Sequence, residues 1–224
     1  MEDNQSRWGL FRRRQCLLPT GRGCLLLVLS LALLVIVTAH RIHPFLAMNA
    51  PVQGEVLVVE GWAADYVFEA AIAEFNRNHY QKMFVTGGPL EQGAPLSEYK
   101  TYAELGAATL LKLGSATNDV QAVPAPLVRQ DRTYTSAITL KQWWAEHGMS
   151  PKQFNLMTVG PHARRSRLLF EKAFGNDVKI GILATPEKDY DPKHWWRSSA
   201  GVRAVISETV AYGYVRIFFK PLKG

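Results

Sequence analysis

Past Cys24 the sequence has no cysteine, and the only other is Cys16. Most of the chain therefore has no thiol to close a disulfide, ligate zinc or attack a substrate, and its stability must come from packing. Histidine is scarce and scattered. His40, His43, His79, His147, His162 and His194 show no His-x-His or His-Glu-x-x-His spacing, so the sequence announces no metal site, although one assembled from distant residues stays open. There is no Gly-x-Gly-x-x-Gly, no phosphate-loop lysine motif and no Gly-x-Ser-x-Gly elbow, which removes the usual dinucleotide, nucleoside triphosphate and serine-hydrolase signatures. Internal repeats and low-complexity segments are missing too. Positive charge is in modest supply once it is located: of the formal +7, residues 1–50 hold +4, and the remaining +3 does not indicate nucleic-acid binding.

What the sequence does have is one long apolar run. Residues 24–39, Cys-Leu-Leu-Leu-Val-Leu-Ser-Leu-Ala-Leu-Leu-Val-Ile-Val-Thr-Ala, carry no charge and follow Arg7, Arg12, Arg13, Arg14 and Arg22, against only Glu2 and Asp3. As a helix they span roughly 24 Å, short of the ~30 Å hydrocarbon core, and snorkelling by Arg22 and Arg41 with local thinning closes the gap. Basic flanks resist translocation, so the amino terminus is expected in the cytoplasm and the rest of the chain on the far side. The run is read as a signal anchor over 23–43. A cleaved signal peptide ending at Val37-Thr38-Ala39 is the alternative, disfavoured by the long basic segment ahead of it. A buried soluble helix would need a polar face that this run lacks. The organisation expected is a basic tail at 1–22, the anchor, a linker at 44–54, one domain at 55–219 and a short tail at 220–224. The roughly 175 residues beyond the anchor are enough for one sizeable core and too few for two ordinary domains.

Within that domain short apolar runs alternate with longer amphipathic ones. Strands are predicted at 55–59, 83–86, 120–123, 155–159 and 178–183, and helices at 65–78, 97–113, 135–147, 161–174 and 198–219. Val67, Phe68, Ala71, Ile72 and Phe75 make an inward stripe on the first helix; Tyr99, Tyr102, Leu110 and Leu113 are assigned inward on the second. Gly114, Gly148 and Gly175 read as helix stops. Strands separated by helices imply an α/β fold, a Rossmann-like doubly wound, mainly parallel sheet with helices on both faces, preceded by one N-terminal transmembrane helix.

Ligands of such sheets sit beyond the carboxyl ends of the strands. Glu60, Gly61 and Trp62 follow the first strand, Thr86, Gly87 and Gly88 the second, Arg129, Asp131, Arg132 and Thr133 the third, and Gly160, Pro161, His162 and Arg165 the fourth. The fourth loop says most. Proline suits the first turn of a helix, and His162 and Arg165 fall one turn apart on one face. Arg164, Arg165 and Arg167 crowd a helix start whose dipole is already positive, which is unfavourable unless an anion sits there. Gly87-Gly88 would let a phosphate approach the backbone, though a plain turn explains two glycines equally. Asp131 or Thr133 is a candidate helix cap.

In that order, Thr86-Gly87-Gly88, Arg132-Thr133-Tyr134-Thr135-Ser136-Ala137 and Thr158-Val-Gly-Pro-His162-Ala-Arg-Arg165 resemble the SanA/ElyC/YdcF family of bacterial envelope proteins. The resemblance covers about residues 55–219, and its most specific part is Thr-x-x-x-His-x-x-Arg, here Thr158, His162 and Arg165. The family's Asn-Thr-x-Glu-Asn-Ala motif is partly kept: Thr133 and Ala137 match, whereas Arg132, Thr135 and Ser136 replace Asn, Glu and Asn, so no role for that acid carries over. The resemblance implies a Rossmann-like domain tethered to the inner membrane and facing outward, in envelope integrity and the handling of peptidoglycan or its lipid carrier. It names no reaction and no cofactor.

From the residues, the expectation is binding or processing of a phosphorylated envelope intermediate, a lipid-carrier or nucleotide-like ligand, with phosphoryl transfer or hydrolysis as the chemistry if it is turned over. Arg165 and Arg132 would clamp phosphate oxygens, aided by Thr86, Gly87, Gly88, Thr133 and Thr158. His162, expected neutral at a helix amino terminus, would move the proton, with Glu60 as the acid beside it. The alternative is a non-catalytic, ligand-binding regulator of envelope assembly. Glu208 reads as a surface or paired carboxylate on an apolar helix, Trp195-Trp196 as core, and Trp143-Trp144 as one core ring and one near the surface. Phe218 to Lys223 reads as a frayed end.

Overall fold

A computed structural model describes residues 19–90 and 95–221. The expectations placed on Glu2, Asp3, Arg7, Arg12, Arg13, Arg14, Cys16, Leu222 and Lys223 lie outside the described residues. The chain forms two compact units, Met1–Thr38 and Ala39–Gly224. In the first, helix α1 (Gly21–Leu46) begins. It is long and apolar enough to cross a membrane. Leu25, Leu31 and Leu34 are about 60% exposed, as they would be for a helix whose solvent is lipid.

The second unit is a five-stranded, all-parallel sheet in the order β3-β2-β1-β4-β5. Its strands are β1 (Val56–Glu60), β2 (Lys82–Gly87), β3 (Val120–Pro124), β4 (Gln153–Val159) and β5 (Lys179–Thr185). Because side chains alternate across a strand, Val56 and Val58 face one layer while Leu57 and Val59 face the other. Helices α4 (Arg132–Glu146) and α5 (Ala163–Phe174) cover the first face through Ala137, Leu140, Trp144, Phe170 and Phe174. Helices α2 (Asp65–Arg77) and α3 (Tyr102–Lys112) cover the second through Val67, Phe68, Ala71, Ala107 and Leu110. This is the doubly wound arrangement expected. Burial on both faces explains why the strands read as continuous apolar runs. A last helix, α6 (Ser199–Ile217), packs against α5.

Several boundaries differ from the sequence reading by a few residues, α4 beginning at Arg132 and not at 135 among them, and two show local reasons. Helix α3 starts at Tyr102, not at 97. Thr101 accepts a hydrogen bond from the Glu104 amide at 3.1 Å, and the Glu104 carboxylate accepts from the Thr101 amide at 2.9 Å, a capping box that fixes the first turn. Accordingly Tyr99 precedes the helix, and Leu113 at its end is 41% exposed. Helix α5 begins at Ala163, after a 3₁₀ turn over Gly160–His162 that carries Pro161. Gly114 ends α3 as expected, with Ser115 N–H bonding Leu110 and Gly114 N–H bonding Leu111, and Gly148 ends α4 in the same way.

The segment expected as a linker is fastened to the domain. Helix α1 continues to Leu46, which is fully buried. Ala50 exchanges two backbone hydrogen bonds with Ile182, and the buried Asn155 side chain bonds both the N–H and the carbonyl of Val52, each at 2.8 Å.

Candidate active site

The strand order reverses at β1, whose neighbours are β2 and β4, so the crevice beyond β1 and β4 is the switch point of this sheet. Glu60 is the last residue of β1, and His162 follows β4 by one tight turn. A cavity of about 630 Å³ opens there. Its polar floor is Glu60, Thr86, His162, Arg165 and Glu208; Trp62, Pro126, Leu127, Leu169, Tyr214 and Val215 are among its apolar walls.

Of the residues selected from sequence, Glu60, Thr86, Gly87, Gly88, Arg132, Thr133, His162 and Arg165 all line this cavity. Thr158 does not; it is wholly buried in β4 beneath the floor. Gly87 has a structural duty as well. A Cβ there would come 2.7 Å from Cβ of Tyr102, so its bareness lets α3 start against the end of β2. Asp131 stands at the amino end of α4 with φ of 56° and makes no side-chain cap.

The charged floor is arranged in pairs. Glu60, 3% exposed, accepts from the Ser166 hydroxyl at 3.0 and 3.1 Å and lies 3.6 Å from His162 Nε2. On the other ring nitrogen, His162 Nδ1 is 2.9 Å from Glu208 Oε1. Arg165 donates to the same carboxylate from Nε at 2.8 Å and from Nη2 at 3.0 Å, a bidentate pair. Trp62 covers the imidazole edge-on, with ring centroids 4.8 Å apart.

These neighbours overturn the expectation of a neutral histidine. Burial works against a charged imidazole, but Glu60 and Glu208 outweigh it and raise the His162 pKa to about 9, against a smaller opposing push from Arg165. The carboxylates therefore hold His162 toward the imidazolium at neutral pH, with Nδ1 lying 2.9 Å from both Glu208 Oε1 and Arg165 Nη2. Burial pushes Glu60 upward, yet the His162 charge and the Ser166 hydroxyl bring its pKa below the usual carboxylate value. Glu208 is pulled down to about 2, its desolvation more than offset by His162 and Arg165.

The crowded arginines are also resolved. Arg164 lies over the Phe45 ring at 3.9 Å and donates to the Phe45 carbonyl, and Arg167 pairs with Glu171 at 2.8 Å. Only Arg165 turns to the cavity, where Glu208 meets it. Two cations and two carboxylates leave the floor close to neutral, while Arg129 and Arg132 stand elsewhere on the cavity lining. Glu208 was missed as a site residue because its partners lie 43 and 46 positions away, though a lone acid on α6 was a usable signal.

Two polar atoms of the floor, His162 Nε2 and Thr86 Oγ1, are buried without a hydrogen-bond partner. Such atoms are costly unless a ligand completes them. The site thus offers an acidic proton at Nε2, a buried carboxylate beside it and a guanidinium one helical turn away, within an apolar rim. No protein-family model matches the chain, and no curated protein matches it significantly.

Proposed function

We propose that this protein is a membrane-anchored, extracytoplasmic enzyme of cell-envelope biogenesis that hydrolyses or transfers a phosphoryl group of a phosphorylated envelope intermediate, a lipid-carrier or nucleotide-like phosphate. The observation that carries the reading is the meeting of His162, Arg165 and Glu60 at the floor of the switch-point cavity, with Nε2 of His162 buried, 3.6 Å from Glu60 and without a hydrogen bond. The resemblance to SanA/ElyC/YdcF proteins and the apolar amino-terminal helix, with arginines ahead of it, support a place at the inner membrane with the domain outside.

In this mechanism Arg165 takes two phosphate oxygens in its fork, and Thr86 and Arg132 hold the rest of the group. Water attacks phosphorus as the bond to the leaving oxygen breaks. The imidazolium at Nε2 gives its proton to that oxygen, and Glu60, ionised, takes the proton of the water. His162 therefore acts as the acid; a pKa near 9 keeps it loaded at neutral pH. The apolar rim of Trp62, Leu127 and Tyr214 suits the non-phosphate part of the ligand.

The test is phosphate release from a radiolabelled polyprenyl pyrophosphate by the purified full chain in detergent micelles. Turnover that falls at least a hundredfold in His162→Ala, with an unchanged circular dichroism spectrum, is expected. Full activity of that variant removes His162 from the chemistry. Saturable binding with no product in wild type supports instead a ligand-binding regulator, a reading favoured by the near neutrality of the floor.

A further inference from the structure

Arg165 is the residue expected to hold the ligand's anionic group, and in this structure an anion of the chain itself holds that place. The Glu208 carboxylate accepts two parallel hydrogen bonds from Arg165, at 2.8 and 3.0 Å, and lies 2.9 Å from His162 Nδ1, which Arg165 Nη2 also approaches at 2.9 Å. That is the fork geometry by which a guanidinium takes a carboxylate or phosphate ligand. Glu208 is the only acid in α6, and its side chain is 16% exposed, turned inward from a helix with just three buried residues. It also lines the cavity, so its carboxylate borders the space that a ligand held by Arg165 would fill.

Resting on the reading that Arg165 binds a phosphate, we propose that Glu208 is an internal competitor: it occupies the donors of Arg165 and His162 in the ligand-free protein and is displaced by the ligand's phosphate. A buried guanidinium left unpaired would be costly, and Glu208 removes that cost until the ligand arrives. Competition also confers selectivity. A monoanion that replaces Glu208 exchanges one negative charge for another and gains little. A pyrophosphate or phosphate monoester brings more charge and more acceptor oxygens, and it prevails. Glu208 thereby sets a charge threshold that admits polyanionic phosphates and excludes carboxylates. The displaced side chain, joined to α6 by flexible methylenes, turns toward the open cavity and water. This differs from a purely orienting role, in which Glu208 would only hold the His162 ring.

Calorimetric titration of inorganic pyrophosphate into the purified full chain in detergent micelles, with and without acetate, tests the idea. Glu208→Gln, which keeps the shape and removes the charge, is expected to bind pyrophosphate at least tenfold more tightly than wild type. Acetate is expected to compete in Glu208→Gln at concentrations that leave wild type unaffected. Glu208→Asp, one methylene shorter and still charged, should fall between the two. Equal or weaker pyrophosphate affinity in Glu208→Gln, or acetate competing equally in both proteins, overturns the competitor and leaves the phosphate reading standing where wild-type binding is lost in Arg165→Ala. Should Glu208→Gln fail to fold, an affinity of Glu208→Asp at or below that of wild type overturns it equally. Pyrophosphate binding that is absent in every variant, or indifferent to Arg165→Ala, overturns both readings at once.

Discussion

His162 has a carboxylate at each ring nitrogen, Glu60 at 3.6 Å and Glu208 at 2.9 Å, and this sandwich decides its protonation more than its place in the chain does. Since its folded pKa is raised from 6.5 to about 9, its charge stabilises the fold fully below pH 6.5, and that contribution is lost as pH climbs through about 9. At about 1.4 kcal/mol per unit, the contribution is on the order of 3 kcal/mol, or several degrees of melting temperature. Glu208 works in the opposite window: lowered from 4.5 to about 2, its contribution is present above pH 4.5 and lost as pH falls toward 2. Thermal melts of wild type and His162→Gln between pH 6 and 10 should therefore converge as pH rises, because only wild type has an imidazolium to lose. Parallel curves would show that the imidazole is not held charged. At this scale His162 and Arg165 were legible, since residues one turn apart on one helix face announce themselves by spacing. Their charge state was not, because it depends on an acid at the end of a strand and another on the last helix.

Among the elements, what the sequence made plain was period. Alternating apolar runs and 3.6-residue stripes placed all five strands and the helices between them, and the parallel pairing followed from the crossover lengths. The start of α3 was missed although Thr101-x-x-Glu104 spells a capping box, because apolar residues ahead of it extended the stripe. Removing that cap gives a direct measure of what fixes the helix. Thr101→Ala should cost about 1 kcal/mol, lowering the melting temperature by roughly 2–4 °C, and Thr101→Ser should restore most of it. No difference between alanine and serine would mean that Gly87, pressed against Tyr102, sets the start instead. The fastening of residues 49–52 had no sequence signal at all. Asn155 reaches Val52 across 103 positions, and a polar side chain in a buried strand says that it needs a partner without saying which.

For the whole molecule, the same facts decide how the domain is carried. Helix α1 runs unbroken from Gly21 to Leu46, and its last residues belong to the folded unit: Leu46 is buried with Trp195 and Val205, and Trp195 Nε1 donates to the Ala39 carbonyl at 2.8 Å. A cleaved leader ending near Ala39 would strip away the carbonyl that Trp195 uses. Cleavage and anchoring thus differ in stability as well as in location. The anchored reading predicts that a carboxyl-terminal tag on the full chain stays with membranes through alkaline carbonate extraction and is digested by protease added outside spheroplasts. Leu31→Arg, at the middle of the run, should release a large share of the protein from the membrane fraction, since a central arginine costs roughly 2.5–3.5 kcal/mol of insertion. A tag protected until the cells are lysed would put the domain in the cytoplasm, and a mature protein shortened by about forty residues would make the helix a leader.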